Sequence, residues 1–175
     1  MIEPFPTIAI SVRQPWAWAI IHAGKDIENR SAAAVQYMRP LTGRRAIHAS
    51  KGMTREEYDD AKEFMRSIGV HCPDAGELLR GGIIGSVEIV GAVKESESRW
   101  FFGPRGLVLR DPQPCRFVPS VGALGYFRWK EADPSIVPAP ARWMLPPQPK
   151  RTSKAVAKEI AERDAEYRDL FGSSP

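Results

Sequence analysis

Residues 81–93, GGIIGSVEIVGAV, constrain the fold of this chain more than any other stretch. Val87 and Ile89 alternate with Ser86 and Glu88, the two-residue period of a strand with one buried face. Glycines recur along it, and in a strand of this length they mark the bends and bulges with which a small closed barrel turns its corners. A phosphate loop is excluded, because no Gly-Lys-Ser/Thr follows and no helix opens there. The segment predicts a bent strand of a β-rich domain.

The rest of the pattern agrees with that class. In TIAISVR, 7–13, Ile8, Ile10 and Val12 share one face of a strand, while Ser11 and Arg13 share the other. Pro15 suits a first helical turn and Gly24 an exit, so 15–23 reads as a short helix with Trp16, Ala19, Ile20 and Ala23 in one stripe. Trp18 lies about 200° round that helix from Trp16. The two tryptophans are therefore expected in different environments. In IENR, 27–30, Glu28 and Arg30 point one way and Ile27 and Asn29 the other.

AIHAS, 46–50, is a second strand, and Thr54 with Glu57 forms a capping box for a helix over about 55–68 whose apolar face is Tyr58, Ala61, Met65 and Ile68. GLVLR, 106–110, and GALGYFRW, 122–129, supply two further strands. Strands outnumber helices without a regular βαβ alternation, which predicts an α+β fold, a small barrel with peripheral helices over residues 1–133. Residues 134–150 are crowded with proline and read as an extended strap. Trp143, Met144 and Leu145 within it predict that it lies on the domain. Residues 151–171 read as an amphipathic helix capped by Thr152 or Ser153, with Val156, Ile160, Tyr167 and Phe171 along one side, docking on the barrel, on a second copy or on a protein partner.

At 175 residues and 43% hydrophobic content, one core is affordable without a metal or disulfide staple. Cys72 and Cys115, and His22, His48 and His71, sit at no metal-ligand spacing, and no cofactor motif is present. No run approaches bilayer length, and the first residues lack the pattern of a secretion signal. The expectation is a soluble, cytoplasmic protein with no metal, no cofactor and no membrane partner. The net charge of +4 permits an anionic partner without demanding one.

The strand–helix–strand unit at the start brings Ser11, Arg13, Lys25, Glu28 and Arg30 toward one rim. Such a set is either a solvated ion-pair network that fixes the helix or a ligand site. His48 is expected to be partly buried against a backbone partner, or to face a cleft beside Ser50. Of Trp100, Phe101 and Phe102, one or two belong to the core and the remainder to a cleft wall. Arg44 and Arg45 are adjacent on a strand and point to opposite faces.

SVRQPWAWAIIHAGKDIENR resembles the N-terminal signature of the ASCH (activating signal cointegrator homology) domain, in which a strand ends near S-x-R/H-Q-P-[WY]-A and a helix leads to G-x-K-x-x-E-x-R. The likeness continues through GRRAIHASKG, GGIIGSVEIVGAV, WFFGPRGLVL and VGALGYFRW, roughly residues 7–130. The resemblance implies a PUA-like β-barrel with a cleft between the first signature and the barrel rim. It also implies association with RNA, a single-stranded nucleic acid or a nucleotide. In that setting Arg13, Lys25, Arg30 and Lys51 would hold phosphates, Trp18 or Trp100 would stack on a base, and Gln14 or Glu28 would meet a base edge. Ser11, His48 and Ser50 would line the cleft.

Some members resembling this chain are hydrolases, and Lys25, Glu28 and Lys51 are the corresponding catalytic candidates. The N4-acetylcytidine amidohydrolase pattern sets a lysine and a threonine where this chain has Lys25 and Glu28, so its hydroxyl nucleophile is missing. A metal-independent ribonuclease would draw on Lys51, Lys25 and Ser50, with one lysine as base. The leading expectation is an RNA-binding domain; the alternatives are such a hydrolase and a protein-interaction adaptor.

Overall fold

The computed structural model describes residues 4–147, 157, 158 and 160–166, and the chain divides into two units between Leu145 and Pro146. The first unit is mixed α+β. It contains β1 (Ile8–Val12), α1 (Trp16–His22), β2 (Ile27–Arg30), α2 (Ala32–Tyr37), β3 (Gly43–Ala49), α3 (Arg55–Ser67), β4 (Gly82–Val93), β5 (Arg105–Pro119) and β6 (Tyr126–Arg128). In the second unit residues 157, 158 and 160–166 are helical, part of the expected C-terminal helix, whereas Thr152, Ser153, Val156, Tyr167 and Phe171 lie outside the described residues. Among the described residues no helix is long and apolar enough to cross a membrane.

All six strands form one sheet in the order β2-β5-β4-β3-β1-β6, with β1 and β3 parallel and the other pairs antiparallel. The centre is the glycine-punctuated β4. Its ladder with β5 shifts register between Ile83 and Gly85, between Ser86 and Glu88, and between Ile89 and Gly91, and each shift bends the strand. Gly85 is also a packing requirement. A Cβ there would lie 2.6 Å from the Gln113 carbonyl oxygen and 2.8 Å from Ile21 Cδ1.

The sheet curls but its ladder does not close, which corrects the expectation of a closed barrel: β2 and β6 are its two edges. The reason lies in β1, whose neighbours are β3 and β6, so β2 has no backbone edge of β1 to join. The β6 ladder ends at Ile10, and one residue later the Ser11 carbonyl accepts a hydrogen bond from Arg30 at 2.6 Å. A side chain thus links β2 to β1 where a closed barrel would have a ladder.

β5 runs to Pro119, far past the expected 106–110, despite prolines at 112, 114 and 119. β2 pairs only with Arg105–Val108, so the rest of β5 has β4 on one side alone, and a missing N–H on the open side costs nothing. β6 is shorter than expected, and α2 was not foreseen; Ser31 Oγ caps it by accepting from the Ala34 N–H at 3.1 Å. The Thr54–Glu57 capping box of α3 forms as expected, and Tyr58, Ala61 and Met65 are buried beneath it.

Two apolar layers enclose α1. Ala17, Ile20 and Ile21 face Ile10, Val12, Ile47, Ile89 and Leu107 of the sheet. Ala19 enters a second cluster with Tyr58, Met65, Cys72, Trp100 and Met144. Trp16 and Trp18 both pack partly against this second cluster, contrary to the expected separation, because the cluster wraps the outer side of the helix rather than one stripe. Trp143 packs against the Tyr58 ring with centroids 5.8 Å apart, and Met144 is buried, so this stretch of the strap lies on the domain. Cys72 and Cys115 are free thiols, and burial pushes the Cys72 pKa up to about 11.

Candidate nucleic-acid interface

Because β1 and β3 are parallel they end on the same side, where β4 also starts and β5 also ends. Four connections therefore meet there, after Val12, after Ala49, before Gly82 and after Pro119. They bring Arg13, Lys51 and Arg80 to one rim. Arg13 and Lys51 are exposed. Arg80 is only 8% exposed; it donates to the Lys51 carbonyl at 2.6 Å and to the Ala139 carbonyl at 3.3 Å. No carboxylate of the described residues neutralises it, and burial lowers its pKa from the usual arginine value. A guanidinium held only by carbonyls keeps its full charge for an anion.

Arg13 lies across the junction with α3. It forms an ion pair with Glu57, and its guanidinium borders Gly52, where a Cβ would be 3.8 Å from Arg13 Nη2. The Thr54 backbone N–H, followed by the Arg13 charge, holds the Glu57 carboxyl below the ordinary glutamate range. Arg80, Lys51, Gly52, Arg13 and Glu57 form one continuous strip. Ser50 is half-buried within it, its backbone N–H bound to the Val12 carbonyl at 2.9 Å.

Behind the strip, on the other face of the sheet from the main core, Ser11 and His48 are paired across β1 and β3. Ser11 Oγ is 3.1 Å from His48 Nδ1, and His48 Nε2 is 2.9 Å from the Ser120 carbonyl oxygen. That carbonyl can only accept, so Nε2 carries the proton and Nδ1 accepts from the serine hydroxyl. Desolvation lowers the His48 pKa, the Ser120 carbonyl partly offsets this, and Lys51 lowers it further. Gly122 closes over the pair; a Cβ there would be 2.4 Å from His48 Cε1 and 2.8 Å from Ser11 Oγ.

The other expected site residues go elsewhere. Lys25, with its side chain 1% exposed, donates to Glu28 Oε2 at 3.0 Å and to the Ile27 carbonyl. Glu28 Oε1 is 3.2 Å from Arg30 Nη2, and Glu28 faces Ile10, Val12, Ile20 and Ile89. Lys25 and Glu28, buried, and Arg30, half-buried, form one ion network at the inner face of β2, apart from Arg13 at the rim and from the Ser11 hydroxyl at His48. The expected single rim divides because β2 pairs with β5 and turns Glu28 inward. Gln14 is 2% exposed and bonded at both ends, donating to the Leu79 carbonyl at 2.7 Å and accepting from the Trp18 N–H at 2.9 Å. Trp100 is buried, and Trp18 is half-buried against the second core with its ring 6.2 Å from that of His22.

Arg44 and Arg45 do face opposite ways, Arg44 toward Asp111 and Ser86, Arg45 onto the Tyr126 ring at 4.7 Å. Sequence reasoning missed Arg80, whereas the aromatic run divides as expected, Trp100 and Phe101 packing in the second core and Phe102, 59% exposed beside Trp16, lining a pocket wall. Arg80 directly precedes the Gly-Gly pair that opens β4, a position that marks a strand end. Its proximity to Lys51 depends on a sheet register that spacing does not encode. Among the described residues no cluster of three or more His, Cys, Asp or Glu is arranged to hold a metal. No family model matches this chain, and no curated protein matches it.

Proposed function

We propose that this chain is an RNA-binding module of the ASCH, PUA-like class, with an open, curled sheet, and that its phosphate-binding face is the rim formed by Arg13, Lys51 and Arg80. The observation that carries this reading is the convergence of those three cations from three separate connections onto one strip, with Arg80 buried and neutralised by no carboxylate of the described residues. Phosphates are the ligand such a strip suits: neighbouring positive charges, one of them anchored by backbone carbonyls, with donors still unspent. A binding role is favoured over turnover, because Lys25 and Glu28 are bonded to each other and to Arg30 inside the fold.

The test is a gel shift and anisotropy titration with end-labelled single-stranded RNA in EDTA. With about three phosphates neutralised, log affinity should fall against log salt with a slope of about −2, and Lys51→Ala should make that slope shallower by about 0.7. Binding that ignores salt, or no binding at low salt, would sink the proposal. Shortening of the RNA that disappears in Lys51→Ala would replace it with a metal-independent ribonuclease.

A further inference from the structure

Beside the Arg13 end of the strip is an open pocket of about 410 Å³, lined by Trp16, Glu57, Asp60, Ala61, Phe64 and Phe102. Its α3 side is one helical face: residues 57, 60, 61 and 64 stand at i, i+3, i+4 and i+7. Its three rings are close to one another, Trp16 to Phe64 at 5.7 Å, Phe64 to Phe102 at 5.7 Å and Trp16 to Phe102 at 6.0 Å, with their planes inclined by 53° to 71°. Core packing does not account for Phe102, which leaves 59% of its surface in solvent on the pocket edge. An aromatic floor with a carboxylate lip suits a flat, donor-bearing ring better than an aliphatic side chain or a phosphate.

We propose that this pocket is a base-binding subsite that selects an unpaired guanine, an assignment that rests on the RNA-binding reading of the adjoining strip. Continuity supports it, since Glu57 both lines the pocket and pairs with Arg13, placing the pocket one side chain away from the phosphate track. Charge complementarity selects the base. Glu57 is committed to Arg13 and the Thr54 N–H, whereas Asp60 shares the lip and offers two carboxylate oxygens. The Watson–Crick edge of guanine sets N1–H and N2–H side by side, two donors for two acceptors; adenine and cytosine offer one amino group beside an acceptor, and uracil a single N–H between carbonyls. Phe102, the exposed ring of the three, offers a face for stacking, while Trp16 and Phe64, inclined to it by 53° and 71°, meet the base at an angle.

The experiment compares a short oligouridylate with the same oligomer carrying one central guanosine, on the full chain, Phe102→Ala, Asp60→Asn and Lys51→Ala. Both substituted pocket residues are exposed, so the variants should fold; circular dichroism checks this. The guanosine oligomer should bind roughly tenfold tighter than oligouridylate, within the range a stacked base contributes. Phe102→Ala and Asp60→Asn should each remove most of that preference, while Lys51→Ala weakens both oligomers alike and keeps their ratio. Equal, salt-sensitive affinity for the two oligomers would overturn the guanine subsite and leave the phosphate rim standing. Absence of binding to either oligomer would overturn both readings. If choline, a trimethylammonium cation, occupies the pocket and no guanosine preference is measured, the pocket is a cation cage and the guanine assignment fails.

Discussion

The Lys25–Glu28–Arg30 network lies within the opening strand–helix–strand unit, the Arg13–Lys51–Arg80 strip draws on that unit and on the connections beside β3 and β4, and the two put charge to opposite uses. In the first, the Lys25 and Glu28 side chains are 1% and 11% exposed, and each cation already has a carboxylate and a backbone carbonyl. Its charges are consumed in joining β2 to α1 and β1. In the second, Arg80 has only carbonyl partners, Lys51 projects into solvent, and Arg13, though paired with Glu57, keeps 56% of its side chain exposed. A basic residue is available to a partner when its charge is unmatched, as at Lys51 and Arg80, or paired only in solvent, as at Arg13, and that is decided by burial and partners rather than by sequence proximity.

The sharpest way to break the comparison is to remove the carboxylate of the inner set. Glu28→Ala leaves two cations around an apolar pocket without their counter-charge, and the expected loss is about 3–5 kcal/mol in urea unfolding. The double substitution Lys25→Met with Glu28→Leu should cost less than the sum of the two single changes, since a buried pair replaced by apolar groups avoids the stranded charge. If Glu28→Ala costs under about 1 kcal/mol, the network is not structural, and Glu28 returns to the list of residues held in place for a ligand.

The sequence alone carried the elements whose signals are local. The strand of Ile8–Val12, the Thr54 capping box, the bent β4 and the opposed faces of Arg44 and Arg45 follow from period, cap chemistry and glycine placement, and each is present. What was lost depends on which strand lies beside which. The apolar period that marks β5 covers only 106–110, whereas its continuation through Pro112, Pro114 and Pro119 depends on pairing with β4 alone, β2 reaching no further than Val108. The candidate site was legible as a set of residue types but not as a place. Pairing of β2 with β5 sent Glu28 inward, and the return of the chain before β4 brought in Arg80, which has no local signature.

His48 sits between the two regimes, buried like the inner set but close to the strip, and its titration measures that position. Its folded pKa is lowered by desolvation, so below the unfolded value the unfolded chain takes up the proton first. Its contribution is full above about pH 6.5 and declines as pH falls from there toward the folded pKa. Protonation would also end the acceptance of the Ser11 hydroxyl by Nδ1. Of the titratable groups on the surrounding elements, Lys51 lowers the same pKa, and Arg128, Lys130 and Glu131 line a pocket together with Gly122 and Phe127. Urea midpoints measured from pH 7 to pH 5 should fall in the native chain and fall less in His48→Gln, which retains a donor for the Ser120 carbonyl. Parallel curves for the two proteins would show that His48 does not carry the dependence.

The smallest expected effect tests the comparison from its other end. Lys51→Ala removes an exposed side chain, and Arg13→Ala breaks an exposed ion pair whose side chains are 56% and 40% accessible, a class worth about 0–1 kcal/mol. The capping box of α3 stays intact in both variants, because Glu57 keeps its bonds to Thr54 without Arg13. Each variant should therefore unfold within about 1 kcal/mol of the parent while losing affinity for single-stranded RNA. Stability and binding are then separable at the rim and inseparable in the inner network, where any change large enough to affect a ligand would first unfold the strand that carries it. A loss of more than about 2 kcal/mol in Lys51→Ala would mean that the rim cations also hold the fold together, and the division between charge consumed and charge left for a partner would not stand.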